Sequence, residues 1–481
     1  MSASIVQSGE NEPEGFSFMV AIAFTLNYIM GTGFLTLPWA FYEAGLGAGV
    51  FILSISCLVA VISVFFILES IARGEMLEEH AISLSGKVRT NYQYDSINKE
   101  EPNDRAHYIV DELKIEIPEL CELFLGMNAR RLYTLLISIY MYGSLWAYST
   151  VFANALAVQI PLPLVDWNIS YCIYLVVFGM IVVPSSCLEL KEQVFFQVLL
   201  AWGRVIMVIL MVVTTAAAHL TGLNPFDLAD APTGTDVPKS DMNHSLVNPS
   251  RLYLLIPIAF YANIFHHSIP ALSEPVRDKS QLGAIYATTL VLCFFAYSAI
   301  SILIATFFGS DTKSSSNLNW ETYAEGTVVG GMISFFIVLF PALDVASAFP
   351  LNAITLGNNL MSFYYREQMH FVEGFRLNRV RFRVIASLPS VIAALFITDI
   401  SMITNYTGLT GFVMALIFPA LLSFYSRRKL LQLGLPTNTR YSSILTSTFS
   451  SIFTIVFSVS LIVFVLYSLT SQNFSPFAGP T

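Results

Sequence analysis

The sequence predicts an all-α polytopic membrane protein of about eleven transmembrane helices, and three observations carry that expectation. Of its 481 residues, 55% are hydrophobic and only 12% charged, with a mean hydropathy of +0.65, too apolar for a soluble domain of this length. Apolar runs near the roughly 20 residues that a helix needs to cross a bilayer recur along the chain. Lys and Arg fall in alternate loops, roughly 20 on the side of the N-terminus against 3 on the other, with Arg204 inside a span. That asymmetry places the N-terminus in the cytosol. The first residues carry Glu10, Glu12 and Glu14 and no basic n-region, so no signal peptide is expected.

Taken in order, the runs cover about 17–40, 46–70, 131–158, 168–187, 194–220, 251–272, 282–309, 327–357, 384–403, 405–426 and 444–470. They divide the chain into a cytosolic tail (1–16), a transmembrane domain (17–470) and an outer tail (471–481). A cytosolic loop over 71–130 and a lumenal or extracellular loop over 221–250 interrupt the domain. The sequons at Asn168, Asn243, Asn405 and Asn473 all fall outside, and only Asn243 stands in a long loop, so it is the expected glycosylation site. The second half of the 71–130 loop sets Glu112, Glu116, Glu119 and Glu122 among Leu113, Leu120, Leu123 and Phe124. It reads as an amphipathic helix, broken near Pro118, on the membrane surface, or as a connector with no role of its own. A cytosolic partner for this loop is one possible use. Tyr94-Asp95-Ser96-Ile97 has the form of an endosomal sorting signal, a short pattern that also arises by chance. The five cysteines fall mostly in apolar runs and show neither metal-ligand spacing nor a paired arrangement in one loop.

No catalytic set, phosphate loop or basic aromatic face stands out, which argues against an enzyme, a cofactor and a nucleic-acid partner. What remains is polar and ionisable residues inside spans, which are costly there and mark function. In the first span, Asn27 and Pro38 flank Gly31-Thr32-Gly33. A break at that triplet frees backbone N–H groups at the start of a half-helix, which suits a carboxylate, and carbonyls on the other half, which suit an ammonium group or a cation. Small residues in a span also serve plain helix packing. The sixth span carries Pro257, Asn263, His266, His267 and Pro270. Breaks at corresponding places in two halves point to a transporter built from inverted repeats, with its substrate at mid-membrane; the histidines also fit a packing role. In the eighth span Asp344 has no base nearby in sequence, and Ser347 shares its helix face. Such a carboxylate, if not capped by a hydroxyl or amide, needs a cation, a proton or a polar cavity. The third span offers Tyr142 and Ser144 as pocket-lining candidates within an aromatic and hydroxyl-rich stretch, 140–148.

At these residues the chain resembles the amino acid/auxin permease family of the amino acid–polyamine–organocation superfamily. The first-helix stretch from Asn27 to Pro38 is similar to the family's N-x-x-x-G-[ST]-G-x-L-x-x-P signature, and the likeness runs on through H-H-S-I-P-A-L, F-P-L-N-A-I-T-L (349–356) and T-G-L-T-G-F-V-M-A-L-I-F-P-A-L-L. Within the family, residues 140–148 and 267–276 are most similar to the transmembrane protein one hundred and four branch. The resemblance implies a LeuT-like fold with a five-plus-five inverted repeat and broken helices 1 and 6. It implies secondary active transport of amino acids, with Gly31, Thr32 and Gly33 facing the sixth helix near Phe260 and Asn263. In sodium-coupled relatives the position of Asn27 and a hydroxyl on the eighth helix hold the ion. Here Asp344 stands at or next to that hydroxyl, which favours a proton over sodium. The expectation is thus a proton-coupled symporter of small neutral amino acids in an endolysosomal or vacuolar membrane, with an amino acid-sensing receptor of little flux or a sodium-coupled symporter as alternatives.

Overall fold

The computed structural model describes residues 15–85, 115–187, 194–222, 225–226, 245–324, 326–365 and 376–471; the side chain of Asn27 is not among those described. Among the described residues the chain is helical, and a single parallel β-bridge joins Phe16 to Val276. Nine helices there are long and apolar enough to cross a membrane. In chain order the helices are α1 (Phe18–Ile29), α2 (Leu37–Ala44), α3 (Leu46–Ser85), α4 (Ile117–Leu125), α5 (Met127–Gln159), α6 (Trp167–Ser186), α7 (Val194–Thr221), α8 (Leu252–Tyr261), α9 (Ile269–Ser273), α10 (Leu282–Phe308), α11 (Val328–Tyr365), α12 (Arg376–Ala393), α13 (Ile400–Phe412), α14 (Phe418–Gln432) and α15 (Thr448–Ser471). A π-turn over Val413–Ile417 joins α13 to α14, and Pro419, which lacks the N–H for a continuous ladder, follows it. α1, α2, α4 and α12 fall outside the nine: the first two are halves of an interrupted run, α4 has only nine residues, and α12 starts in an arginine-rich stretch.

Backbone hydrogen bonds tie segments together at each end of the bundle. Phe16 and Arg277, expected on one side, exchange backbone hydrogen bonds through Phe16 N–H to Pro275 (2.6 Å) and Arg277 N–H to Phe16 (3.1 Å). On the other side Asn248 N–H reaches Ala44 (2.7 Å) and Ala48 N–H reaches Leu246 (3.0 Å). α5 lies at the centre, packed along α11, α6, α12 and α13, while α8 is held by α2, α3 and α13. Gly408 on α13 permits one of these approaches, since a Cβ there would stand 2.4 Å from the Pro257 carbonyl oxygen.

Two expected boundaries change. α3 does not end near residue 70 but runs 40 residues to Ser85, about 60 Å at 1.5 Å per residue against a hydrocarbon core of about 30 Å. The helix continues because its first charges are buried and paired: Glu69 and Arg73, one turn apart, meet at 3.0 Å with neither side chain exposed. Glu69 also accepts from Ser442 (2.6 Å), Thr446 (3.0 Å) and Ser423 (3.3 Å), and Arg73 donates to the carbonyls of Thr437 (3.0 Å) and Ser423 (3.2 Å). The network ties α3 to α14 and to the segment before α15. The second change concerns the amphipathic helix. Pro118 sits in the first turn of α4 and starts it, as proline does where no N–H is needed, instead of breaking it. The apolar face of α4 (Ile117, Leu120, Cys121 and Phe124) is buried against α3, α5 and α14 rather than laid on a bilayer. Leu113, Glu112 and the Tyr94–Ile97 pattern lie outside the described residues.

Candidate functional site

Two helices are broken beside each other, and each resumes with a proline in the first turn of its second half. α1 stops at Ile29, Met30 leaves helical geometry (ψ 63°), Gly31 is extended (φ −78°, ψ −153°), and a 3-10 turn over Thr32–Leu35 leads into α2 with Pro38 in its first turn. α8 stops at Tyr261, a 3-10 turn covers His266–Ser268, and α9 starts with Pro270. Glycine is a poor helix former and proline fits best in the first turn of a new helix, so the first break follows from Gly31, Gly33 and Pro38, and the restart of the second helix follows from Pro270. Pro257 inside α8 further removes one N–H from that helix.

The breaks touch. A Cβ on Gly33 would lie 2.9 Å from the Tyr261 ring and 3.1 Å from Ala262 Cα, so only glycine lets the two unwound segments approach this closely. The hydroxyls of Tyr28 and Ser268 hydrogen-bond across the gap. Tyr297 of α10 places its hydroxyl 3.4 Å from the carbonyl oxygens of both Ile29 and Ala262, one from each break. At the start of the 3-10 turn the N–H groups of Thr32 and Gly33 have no acceptor within their own helix.

Between the breaks lies a cavity of about 150 Å³, walled by Gly31, Thr32, Gly33, Tyr261 and Ala262, by Tyr140, Ser144 and Tyr148 of α5, by Arg204 of α7, and by Asp344 and Asn352 of α11. Its wall is wired by polar contacts. Tyr261 donates to Ser144 Oγ (3.3 Å), Asn352 donates to the Tyr148 hydroxyl (3.3 Å), and the Tyr140 ring lies 5.9 Å from Tyr261 and 5.6 Å from His267. Thr32 Oγ1 and His267 Nδ1 are buried with no hydrogen-bond partner among the described residues, an arrangement that a polar ligand relieves. Arg204 Nη2 lies 2.7 Å from each carboxylate oxygen of Asp344, with the two side chains 9% and 13% exposed. A half-helix N-terminus, freed carbonyls and an ion pair thus surround one small space, the equipment for holding a zwitterion.

A family model described as transmembrane amino acid transporter protein matches residues 14–471. The chain belongs to that transporter family. Among its relatives, human transmembrane protein 104 is 25% identical over 97% of this chain and 98% of its own length. The transmembrane protein 104 homologs of Dictyostelium discoideum (22% identical, 88% of this chain and 91% of the relative) and Drosophila melanogaster (23%, 96% and 99%) are similar along most of their length too. The family and the branch that the sequence resembles are therefore both found.

Within this transporter the expected residues separate into two groups. Gly31, Thr32, Gly33, Ser144 and Asp344 line the cavity. Phe260, Asn263, Tyr142 and Ser347 do not. Phe260 points the other way, its ring 4.8 Å from Phe412 in a separate apolar cluster. Asn263 is buried and donates to Ser56 Oγ (3.0 Å) and to the Ala259 carbonyl (3.2 Å), which stitches the break to α3. Tyr142 donates to the Ile385 carbonyl (2.7 Å) on the far face of α5, beside Trp146, because residues two apart on a helix never share a face. The periodic set on the cavity side is Tyr140, Ser144 and Tyr148. Ser347 donates to the Asp344 backbone carbonyl (2.9 Å). Asn27 is in the last turn before the first break, and its side chain and Asn243 lie outside the described residues. Asp344 does have a base beside it, Arg204, 140 residues away in sequence. His266 bonds the Ala60 carbonyl through Nε2 (3.1 Å), whereas His267 reaches the cavity.

Proposed function

We propose that the chain carries small neutral amino acids across its membrane by alternating access, as a proton-coupled symporter. The observation that carries this reading is the meeting of both helix breaks on one polar cavity. The substrate carboxylate takes the N–H groups of Thr32 and Gly33, and its ammonium group takes carbonyl oxygens at the ends of α1 and α8. A space of about 150 Å³ accepts a molecule of roughly benzene's bulk, which limits the side chain to a small one. The two breaks in α1/α2 and α8/α9 support an inverted repeat of five plus five helices in an eleven-helix, LeuT-like arrangement, with the N-terminus cytosolic.

The ion pair supports the choice of coupling ion. Arg204 already supplies Asp344 with a cation, so no sodium ion is needed to neutralise it. When an entering carboxylate draws Arg204 away, Asp344 is left buried without its counter-ion, a state that costs several kcal/mol unless a proton neutralises it. An acidic endolysosomal or vacuolar lumen supplies that proton. Purified protein titrated with each common amino acid, read by thermal stabilisation, tests the substrate class: glycine, alanine or serine should stabilise it, and a response confined to large or charged amino acids contradicts the reading.

A further inference from the structure

At the end of the bundle where α5 begins and α11 ends, a second cavity of about 210 Å³ opens away from the substrate site. Glu122 of α4, Arg130, Arg131 and Thr134 of α5, and Ser362 and Phe363 of α11 form its walls. Arg130 is spent on Glu122, with which it forms a hydrogen-bonded ion pair. Arg131 has no such partner: its Nε is buried and without a hydrogen bond among the described residues. A guanidinium left with a shielded, unmet donor in a crevice that also holds two hydroxyl side chains is equipped for a tetrahedral oxyanion, because its planar fork matches phosphate geometry. The first turn of a 33-residue helix adds its positive end to the same space.

What flanks the crevice identifies the bearer of that anion. Leu132 and Leu135, three residues apart on α5, are each 51% exposed, and Phe363 and Tyr364 on α11 are 45% and 71% exposed. These exposed apolar side chains stand on two helices long and apolar enough to cross a membrane, and they give the crevice an apolar wall. A free phosphate has no use for such a wall, whereas acyl chains do. We propose that this crevice binds the phosphate headgroup of an anionic phospholipid, with Arg131 as its principal ligand, Arg130 in support and the acyl chains along Leu132, Leu135 and Phe363.

The test uses the full-length protein in detergent, with dioctanoyl phosphatidylglycerol, dioctanoyl phosphatidylcholine and inorganic phosphate as probes, read by native mass spectrometry and thermal stabilisation. Phosphatidylglycerol should bind at one site in preference to phosphatidylcholine, and Arg131→Gln should weaken it about fivefold, the worth of one basic group at a membrane surface. Glu122→Gln, which releases Arg130 from its pair, should tighten the same lipid by a similar factor, a gain that misfolding cannot imitate. Equal binding of the two lipids, or an affinity unmoved by both substitutions, overturns the proposal. Inorganic phosphate that stabilises as well as phosphatidylglycerol makes this a free-anion site and overturns the lipid assignment.

Discussion

Neutralising one member of the Arg204–Asp344 pair should cost far more than neutralising both. With Arg204 Nη2 2.7 Å from both oxygens and the side chains 9% and 13% exposed, removal of one partner strands a charge in a poorly solvated site. Such losses run to about 3–5 kcal/mol, whereas replacing both charges by neutral groups of similar shape is close to neutral. Asp344→Asn and Arg204→Gln should therefore each destabilise the protein by about that amount, while the double variant should stay close to the native chain, for a coupling of about 5–9 kcal/mol. The assay is a double-mutant cycle on detergent-solubilised protein, read from denaturant or thermal unfolding. Additive single costs, each below about 1 kcal/mol, are the result of a solvated or absent pair and refute the argument. Transport separates stability from mechanism, since the stable double variant still lacks the two groups proposed to exchange a carboxylate and a proton.

Other outcomes follow from the same geometry. Gly31→Ala should leave the fold intact, because a Cβ there meets nothing within 4 Å, yet weaken substrate binding at least severalfold by placing a methyl group beside Thr32; unchanged affinity in a binding titration contradicts the carboxylate cradle. Gly33→Ala should instead destabilise by about 1–3 kcal/mol, as its Cβ would press on Tyr261 and on Ala262 backbone, and thermal unfolding reads this directly. Ser144→Ala should alter substrate affinity and Tyr142→Phe should not, since only Ser144 faces the cavity; equal effects show that the face of α5 is wrongly assigned. Tyr297→Phe should cost about 1 kcal/mol and loosen the junction of the two breaks, measurable as faster hydrogen exchange over 29–33 and 262–266.

Features of the fold that depend on a few neighbouring residues are legible in the sequence. Gly31-Thr32-Gly33 with Pro38 announces the first break and Pro270 the restart after the second, because glycine and proline act on their own few residues. The family follows from the same stretch. Long-range pairings are not legible in that way. Arg204 and Asp344 lie 140 positions apart, yet a signal exists: they are charged residues deep in separate spans, and such charges pair with one another. Tyr297 reads as one more aromatic in an apolar helix, and nothing in its neighbours tells that its hydroxyl meets two freed carbonyls. The face of α5 is lost to a choice between alternating tyrosines, where Tyr142 and Trp146 fit a helical period as well as Tyr140, Ser144 and Tyr148 do. Charge misplaces the boundary of α3, because Glu69 and Arg73 look like the start of a solvated loop but satisfy each other inside the bundle.

Uptake into proteoliposomes of the full-length protein tests the central claim most directly, with a small neutral amino acid supplied under an imposed pH gradient, with and without sodium, for the native chain and Asp344→Asn. Uptake should be driven by the proton gradient, indifferent to sodium and uncoupled from pH in Asp344→Asn. Uptake that requires sodium, or that keeps its full pH dependence without the Asp344 carboxylate, contradicts that claim.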